Sequence, residues 1–321
     1  MTANLLQQFF LPAFSNPQLD GLNDQAVLNV NGSRLAFTTD SFVVSPLFFP
    51  GGDIGRLAVH GTINDLAMCG AIPLGLSGAF IFEEGFPLTD VQRVVESMSA
   101  TCREVGVSLV TGDTKVVEKG KGDGVFITTS GIGLINHSQT IAADQVRPGD
   151  AILVSGPIGD HGVAVLSARE GLEFETTLVS DTAPLHTLVQ AMLEASPHIH
   201  CLRDPTRGGL GTVLNEIASS SQVGMRIDED RVPVRPEVHA ACEMLGLDPL
   251  YLACEGRLVA FVGEQAAEAV LARMQEHPFG RESVLIGRVV TDDTGTVVMR
   301  TVLGSKRRID SLSGAQLPRI C

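Results

Sequence analysis

The segment from Thr89 to Thr111 does most to limit what this chain can fold into. Val91, Val94, Val95, Met98, Cys102 and Val105 recur every three or four residues, which puts them on one face of a helix from Thr89 to Val105. Thr89 and Gln92 have the spacing of a capping box, and Gly106 is the residue type that ends a helix. Val107 to Thr111 follows at once as a short apolar strand and delivers Gly112-Asp113-Thr114-Lys115. A helix with a single apolar stripe has to bury it, and a strand beside it supplies a sheet to bury it on.

The same alternation runs through the rest. Ala26 to Val30 and Leu35 to Thr39 form a hairpin around Asn31-Gly32, and the return strand runs directly into Asp40. Residues 1 to 22 hold a short apolar segment that Pro12 ends. Ile54 to Cys69 is apolar all round with Gly61 inside, the pattern of a buried helix. Strands follow at Leu76 to Phe82 and Val125 to Ile135. The turn Arg147-Pro148-Gly149-Asp150 marks a domain boundary. Beyond it, strands at Ala151 to Ser155, Arg257 to Val262, Val284 to Val290 and Thr296 to Val302 mix with helices. These are Val163 to Arg169, Pro184 to Ala195, Leu210 to Ser219, Pro236 to Leu245 and Ala266 to Glu276. The expected class is α/β (α+β), with mixed sheets in two domains, 1–147 and 148–303. A Gly- and Ser-rich flexible tail, 304–321, carries Cys321.

Charge narrows the partners. The net charge is −14, which argues against a nucleic acid or an anionic membrane surface. No apolar stretch approaches the roughly 20 residues of a membrane span, and Met1 onward lacks the basic start of a signal peptide. None of the cysteines forms a C-x-x-C pair, so a reduced, cytoplasmic protein is expected. Phe42, Leu47, Phe48 and Phe49 crowd one loop-rich stretch, which predicts a surface buried between two copies of the chain.

Asp24, Asp40, Asp65 and Asp113 each sit near a strand end, a loop or the buried helix. Carboxylates so placed suit Mg²⁺, which takes hard oxygen ligands and keeps water for nucleotide phosphates. Lys115 lies two residues beyond Asp113, on the same side of an extended segment. The alternative is four turn aspartates on an acidic surface. No Walker A sequence occurs. Arg203-Asp204-Pro205-Thr206-Arg207-Gly208-Gly209 reads either as an anion site or as a helix start with a salt bridge. Glu255, His60 and His161 have solvated or structural readings beside catalytic ones. Cys321 is either a frayed end or a covalent carrier. Ser305 to Cys321, extended at roughly 3.3 Å per residue, reaches about 55 Å.

Taken together, these stretches resemble one family. Asp40-Ser41 with Leu47-Phe48-Phe49-Pro50-Gly51-Gly52, His60-Gly61-Thr62-Ile63-Asn64-Asp65 and Thr111-Gly112-Asp113-Thr114-Lys115-Val116-Val117 look like the hydrogenase maturation HypE family. Gly159-Asp160-His161-Gly162, the Arg203 to Gly209 stretch and Pro318-Arg319-Ile320-Cys321 continue the likeness in the family's order. The wider, PurM-like superfamily is that of aminoimidazole ribonucleotide synthetase. The resemblance implies an N-terminal domain that binds ATP and Mg²⁺ and dimerises, and a C-terminal α/β domain. It implies Mg²⁺ at Asp24, Asp40, Asp65 and Asp113. Nucleotide contacts would involve those aspartates with Asn64, Thr111, Gly112, Arg207, Gly208 and Gly209. Cys321, Lys115, Glu255 and His60 would be catalytic. The implied activity is ATP-dependent dehydration of a carbamoyl group on the terminal cysteine. HypF delivers that group, and a HypC–HypD complex takes the cyanide. Two departures stand out: the sequence begins past the family's glycine-rich opening, and Cys254 precedes Glu255 where Asn is common. The competing functions are another ATP-dependent kinase or synthetase with a soluble substrate, and a non-enzymatic maturation scaffold.

Overall fold

A computed structural model describes residues 5–16, 18–19, 21–169 and 177–311. Near the N-terminus a π-helical turn, Leu6–Phe10, runs into α1 (Leu11–Phe14). Pro12 thus lies in the first turn of α1 and does not end the segment, since that turn needs no N–H from it. Strands β1 (Ala26–Val30) and β2 (Ser33–Phe42) form the expected hairpin, with positive φ at Asn31 and Gly32. The two-residue strands β3 (Phe48–Phe49) and β4 (Gly52–Asp53) lead into α2 (Ile54–Ala67). Asp53 caps α2 by accepting from the Gly55 and Arg56 N–H groups at 2.8 and 3.1 Å.

Strand β5 (Ile72–Glu83), helix α3 (Leu88–Val105) and strand β6 (Leu109–Val117) form a parallel crossover, and β7 (Val125–Ile135) fills the sheet. The order is β1-β2-β7-β5-β6, with β5 and β6 parallel and the other pairs antiparallel. Helices α2 and α3 cover one face only. Gly61 lets α2 lie against the Phe42 ring, where a Cβ would come within 2.8 Å of it. The capping box is not formed: α3 starts one residue earlier behind Pro87, and Gln92 donates to Glu96 instead.

The second half holds β8 (Ala151–Val154), α4 (Asp160–Ser167), α5 (His186–Ala195), β9 (Ile199–Arg203), α6 (Gly209–Ser220) and β10 (Gly224–Asp228). It continues with α7 (Pro236–Leu245), β11 (Val259–Val262), α8 (Ala267–Glu276), β12 (Val284–Val290), β13 (Val297–Arg300) and β14 (Lys306–Ile309). The seven strands run β14-β13-β10-β12-β8-β11-β9 in a mixed sheet with apolar cores on both faces. The tail expected from 304 onward is at odds with this sheet over 306–309. Residues 306–309 pair with β13 as an edge strand, and Tyr251 donates its hydroxyl proton to the Asp310 carbonyl at 2.7 Å.

The two halves share apolar cores. Val165 and Leu166 of α4 pack with Ile54, Leu57 and Phe49, and Ala67 and Met68 pack with Leu188 and Met192. The aromatics expected at a dimer surface are spent here. Phe42 and Phe49 are buried within the chain, and Leu47 and Phe48 pack onto the same cluster. Among the exposed apolar side chains, one group lies on the uncovered face of the five-stranded sheet. Phe37 stands opposite Ile132 there, and Ile81 opposite Lys115 on the edge strand β6.

Candidate active site

β1 pairs with β2 only as far as Phe37, so Asp40 and Ser41 lie on a free strand edge. A cleft opens there. Thr39 to Phe42, Gly61 and Asp65 line it from the first half, with Asp24 from the turn ahead of β1. Asp204, Thr206, Arg207 and Glu255 line it from the second. Neither half contains the site alone.

One carboxylate oxygen each from Asp24, Asp65 and Asp204 lie within 4.8 Å of one another. Burial pushes all three up. Asp24 rises to about 6, the Arg203 guanidinium partly opposing the shift from 3.0 Å. Asp204 rises to about 8, with the Asp24 charge adding to burial. Asp65 rises well above the ordinary carboxylate range through burial and the charges of Asp204, Asp24 and Asp40, although the Thr38 hydroxyl donates to it at 2.8 Å. Asp40 is also raised by burial, against Arg207 at 3.8 Å and the Ser41 N–H at 2.7 Å. Asp204 is buried and Asp24 and Asp65 are half-buried, and three such carboxylates cannot all ionise side by side without a counter-charge. Their donors are hard oxygens on separate segments, so the set fits Mg²⁺.

Glu255 is buried, and its peptide is held from several sides. Its N–H donates to Asp181 Oδ1 at 2.9 Å, and its carbonyl accepts from Asn64 Nδ2 at 3.3 Å. The Cys254 N–H donates to the Pro205 carbonyl at 3.0 Å. Cys254 is itself buried, its sulfur accepting from the Gly159 N–H at 3.3 Å.

The other expected residues fall elsewhere. Asp113 and Lys115 lie in mid-strand on β6, exposed and ion-paired at 2.9 Å. The register runs Asp40, Thr129, Gly78, Gly112 across the sheet. Asp113 is one residue past that row, so it faces the side opposite Asp40. Three strand spacings of about 4.8 Å separate them by about 14 Å. Asp113 and Asp40 of one chain therefore cannot share an ion. Asp204, which was not among the expected ligands, stands with Asp24 and Asp65. Thr111 and Gly112 lie on the same edge strand, where Gly112 has no room for a Cβ because the Gly78 carbonyl would be 2.3 Å away.

His60 does not line the cleft. It is buried at the domain junction, bonded to Thr182 Oγ1 at 3.0 Å, and burial pushes it down to about 3. Asn64 ties the halves together, donating to the Ala183 carbonyl at 3.1 Å and accepting from the Leu185 N–H at 2.8 Å. Gly208 and Gly209, both at positive φ, build the turn into α6 that carries Arg207. Cys321 lies outside the described residues. Sequence reasoning missed Asp204, Thr206, Thr39 and Ser41. The signal for Asp204 was its place between two arginines, in a stretch open to two readings, an anion site or a helix start with a salt bridge. Arg203 instead faces Asp24 and the Leu22 carbonyl.

Sequence models of AIR-synthase-related proteins match both halves, the N-terminal domain at residues 22–135 and the C-terminal domain at 147–300. The fold is thus that of a two-domain, PurM-like protein. The chain is 59% identical over 318 residues to "Carbamoyl dehydratase HypE" of Rhizobium leguminosarum bv. viciae, covering 99% of this chain and 91% of the relative. A solved hydrogenase maturation protein HypE in complex with ATP is 50% identical, with a TM-score of 0.87 over 100% of this chain and 96% of that one. HypE in a HypE–HypF complex is 47% identical, with a TM-score of 0.91 over 95% and 99%. The chain belongs to the HypE family of carbamoyl dehydratases, enzymes of hydrogenase maturation. Among the described residues no helix is long and apolar enough to cross a membrane, and the described cysteines are all free and buried.

The raised carboxylates make stability depend on pH. Folded Asp204 holds its proton up to about 8, far above its ordinary value of 3.8, so the folded state binds more protons than the unfolded chain between them. Stability then falls as pH rises through that window. The neutral His60 and His161, held down near 3, oppose this only below the ordinary histidine value of 6.5. Calorimetry in chelator should therefore show melting temperature falling between pH 6.5 and pH 8. Asp204→Asn should raise the value at the alkaline end and flatten the slope. An unaltered slope in that variant would contradict the electrostatic reading.

Proposed function

We propose that the chain dehydrates a carbamoyl group held as a thiocarbamate on Cys321, S-carboxamide to S-cyanide, at the expense of ATP. The product is the source of the cyanide ligand of the [NiFe]-hydrogenase iron. The observation that carries this is the cleft itself, where buried Glu255 lines the same space as the Asp24, Asp65 and Asp204 cluster. An amide oxygen is a poor leaving group. The carbamoyl oxygen takes the terminal phosphoryl group of ATP, releasing ADP, and then departs as phosphate. Nitrogen gives up one proton as its oxygen is phosphorylated and the other as the C–O bond breaks, one of them to Glu255 and the other carried off with the departing phosphate, and a nitrile remains. Glu255 accepts a proton from nitrogen. Asp24, Asp65 and Asp204, with Asp40, would hold Mg²⁺, which supplies positive charge against the phosphates. Arg207, exposed at the mouth, adds a cation.

The HypE name of the relatives and the ATP complex support this reading, and the HypE–HypF complex supports HypF as a partner. HypF delivers the carbamoyl group, and HypC–HypD accepts the cyanide. The units are an N-terminal ATP-binding and dimerising domain (1–147) and a C-terminal domain from 148 whose sheet takes in the edge strand 306–309, ahead of the segment bearing Cys321. The setting is the cytoplasm. The test uses the full chain with HypF, carbamoyl phosphate and ATP, read by intact mass. The chain should gain one carbamoyl group and then lose one water when ATP is present. Cys321→Ala should gain nothing. Carbamoyl mass on Cys321→Ala would move the carrier elsewhere.

The chain works as a homodimer in this reading. The uncovered sheet face with Phe37, Ile81 and Ile132 exposed is apolar, and an unpaired edge strand borders it. A second copy on this face is also what would bring Asp113 and Lys115 to a cleft other than their own. Light scattering at micromolar concentration should give twice the 34.0 kDa chain mass. Phe37→Asp should shift it to the monomer while the protein stays folded. A monomeric parent chain would end the proposal.

A further inference from the structure

The peptide of Glu255 is held by neighbours of the very residues that form the acidic cluster. Asn64, which donates to the Glu255 carbonyl, precedes Asp65 on α2. Pro205, whose carbonyl takes the Cys254 N–H, follows Asp204. These two contacts fix Glu255 relative to two members of the cluster. The third contact comes from outside the cleft. Asp181 is buried, its side chain has no exposed surface, and Oδ1 accepts the Glu255 N–H at 2.9 Å. Arg257 stands on its other side, with Nε 3.7 Å from Asp181 Oδ2 and 2.9 Å from the Pro157 carbonyl.

The backbone closes the same contact. A Cβ on Gly256 would lie 1.8 Å from the Asp181 carbonyl oxygen, so the 181 and 256 segments touch as closely as a glycine allows. The segment bearing Asp181 is anchored to the first half at three further points. The Ser180 N–H donates to the Pro50 carbonyl at 2.8 Å, Thr182 bonds to His60, and Asn64 bridges Ala183 and Leu185. It is anchored to the second half by the Ser180 hydroxyl on His161 Nδ1 at 2.8 Å. Segment 180–185 is thus a buried strap clamped to both halves, and Asp181 is its side-chain contact with the peptide of Glu255.

We propose that Asp181 is a positioning residue for dehydration: it holds the Glu255 peptide so that the carboxylate meets the carbamoyl nitrogen. The proposal rests on Glu255 as the proton acceptor. Asp181 makes no contact with substrate. Its removal should therefore lower the rate of the chemical step and leave nucleotide affinity alone, because misplacing a catalytic group by about 1 Å costs up to about a hundredfold.

The experiment follows full-length protein, carbamoylated beforehand, through one dehydration by intact mass at varied ATP. Asp181→Ala should dehydrate about ten- to a hundredfold more slowly, with the ATP concentration for half-maximal rate unchanged. Asp181→Asn keeps an oxygen to accept the Glu255 N–H and should recover most of the rate. If the alanine protein does not fold, Asp181→Ser takes its place, with the same loss expected. Dehydration at the parent rate in Asp181→Ala or Asp181→Ser overturns the proposal. So does Asp181→Asn falling as far as Asp181→Ala. Glu255→Gln, run alongside, separates the two levels. If it is slow while Asp181→Ala is normal, only the positioning role fails; if it dehydrates at the parent rate, Glu255 is not the acceptor and both readings fall.

Discussion

Three carboxylates that repel one another are folded into one buried place, and the rest of the site follows from that constraint. Asp24, Asp65 and Asp204 come from a turn, a helix and the end of a strand in different halves of the chain. Burying them costs several kcal/mol if they stay charged and unpaired. Arg203 offsets part of this at Asp24 and Arg207 part at Asp40. The remainder shows as carboxylates that hold their protons to unusually high pH. A site with this stored repulsion is poised to exchange protons for a divalent cation.

Holding such a cluster together requires a stiff junction. The interface between the halves is apolar core and not a hinge: α2 packs onto α4 on one side and α5 on the other. The polar groups at the junction work as a frame. His60, Asn64, Ser180 and Thr182 sit beside the cleft and tie its walls to one another without lining it. This explains why a histidine in a glycine-rich motif, which in sequence suggests a catalyst, is here neutral and structural.

Much of the architecture was legible in the sequence, because strong periodicity and turn chemistry agree locally. The Asn31-Gly32 hairpin, the α3 stripe ended by Gly106, and Val125 to Ile135 are cases where nothing competes with the local signal. Strands β9 and β10 escaped because each is only five residues long, too short a run for its pattern to stand out from its surroundings. Asp24, Asp40, Asp65, Arg207 and Glu255 were readable as site residues from their motifs, and all five line the cleft. Two things were not readable. Whether two aspartates share a face depends on strand order and register, which put Asp113 across the sheet from Asp40. Whether aromatics on a loop are exposed depends on the other half, which here covers Phe42 and Phe49. Asp204 was masked by its arginine neighbours, whose charge is used inside the chain.

The most direct measurement of this account is the number of protons released when Mg²⁺ and a non-hydrolysable ATP analogue bind. Titration calorimetry at neutral pH, repeated in buffers of different ionisation enthalpy, gives that number. Net release of protons is expected, because Asp65 and Asp204 must give theirs up to a cation. It should shrink in Asp204→Asn. Tight binding with no proton released, or release that Asp204→Asn leaves intact, would show that the buried carboxylates are not where the cation sits.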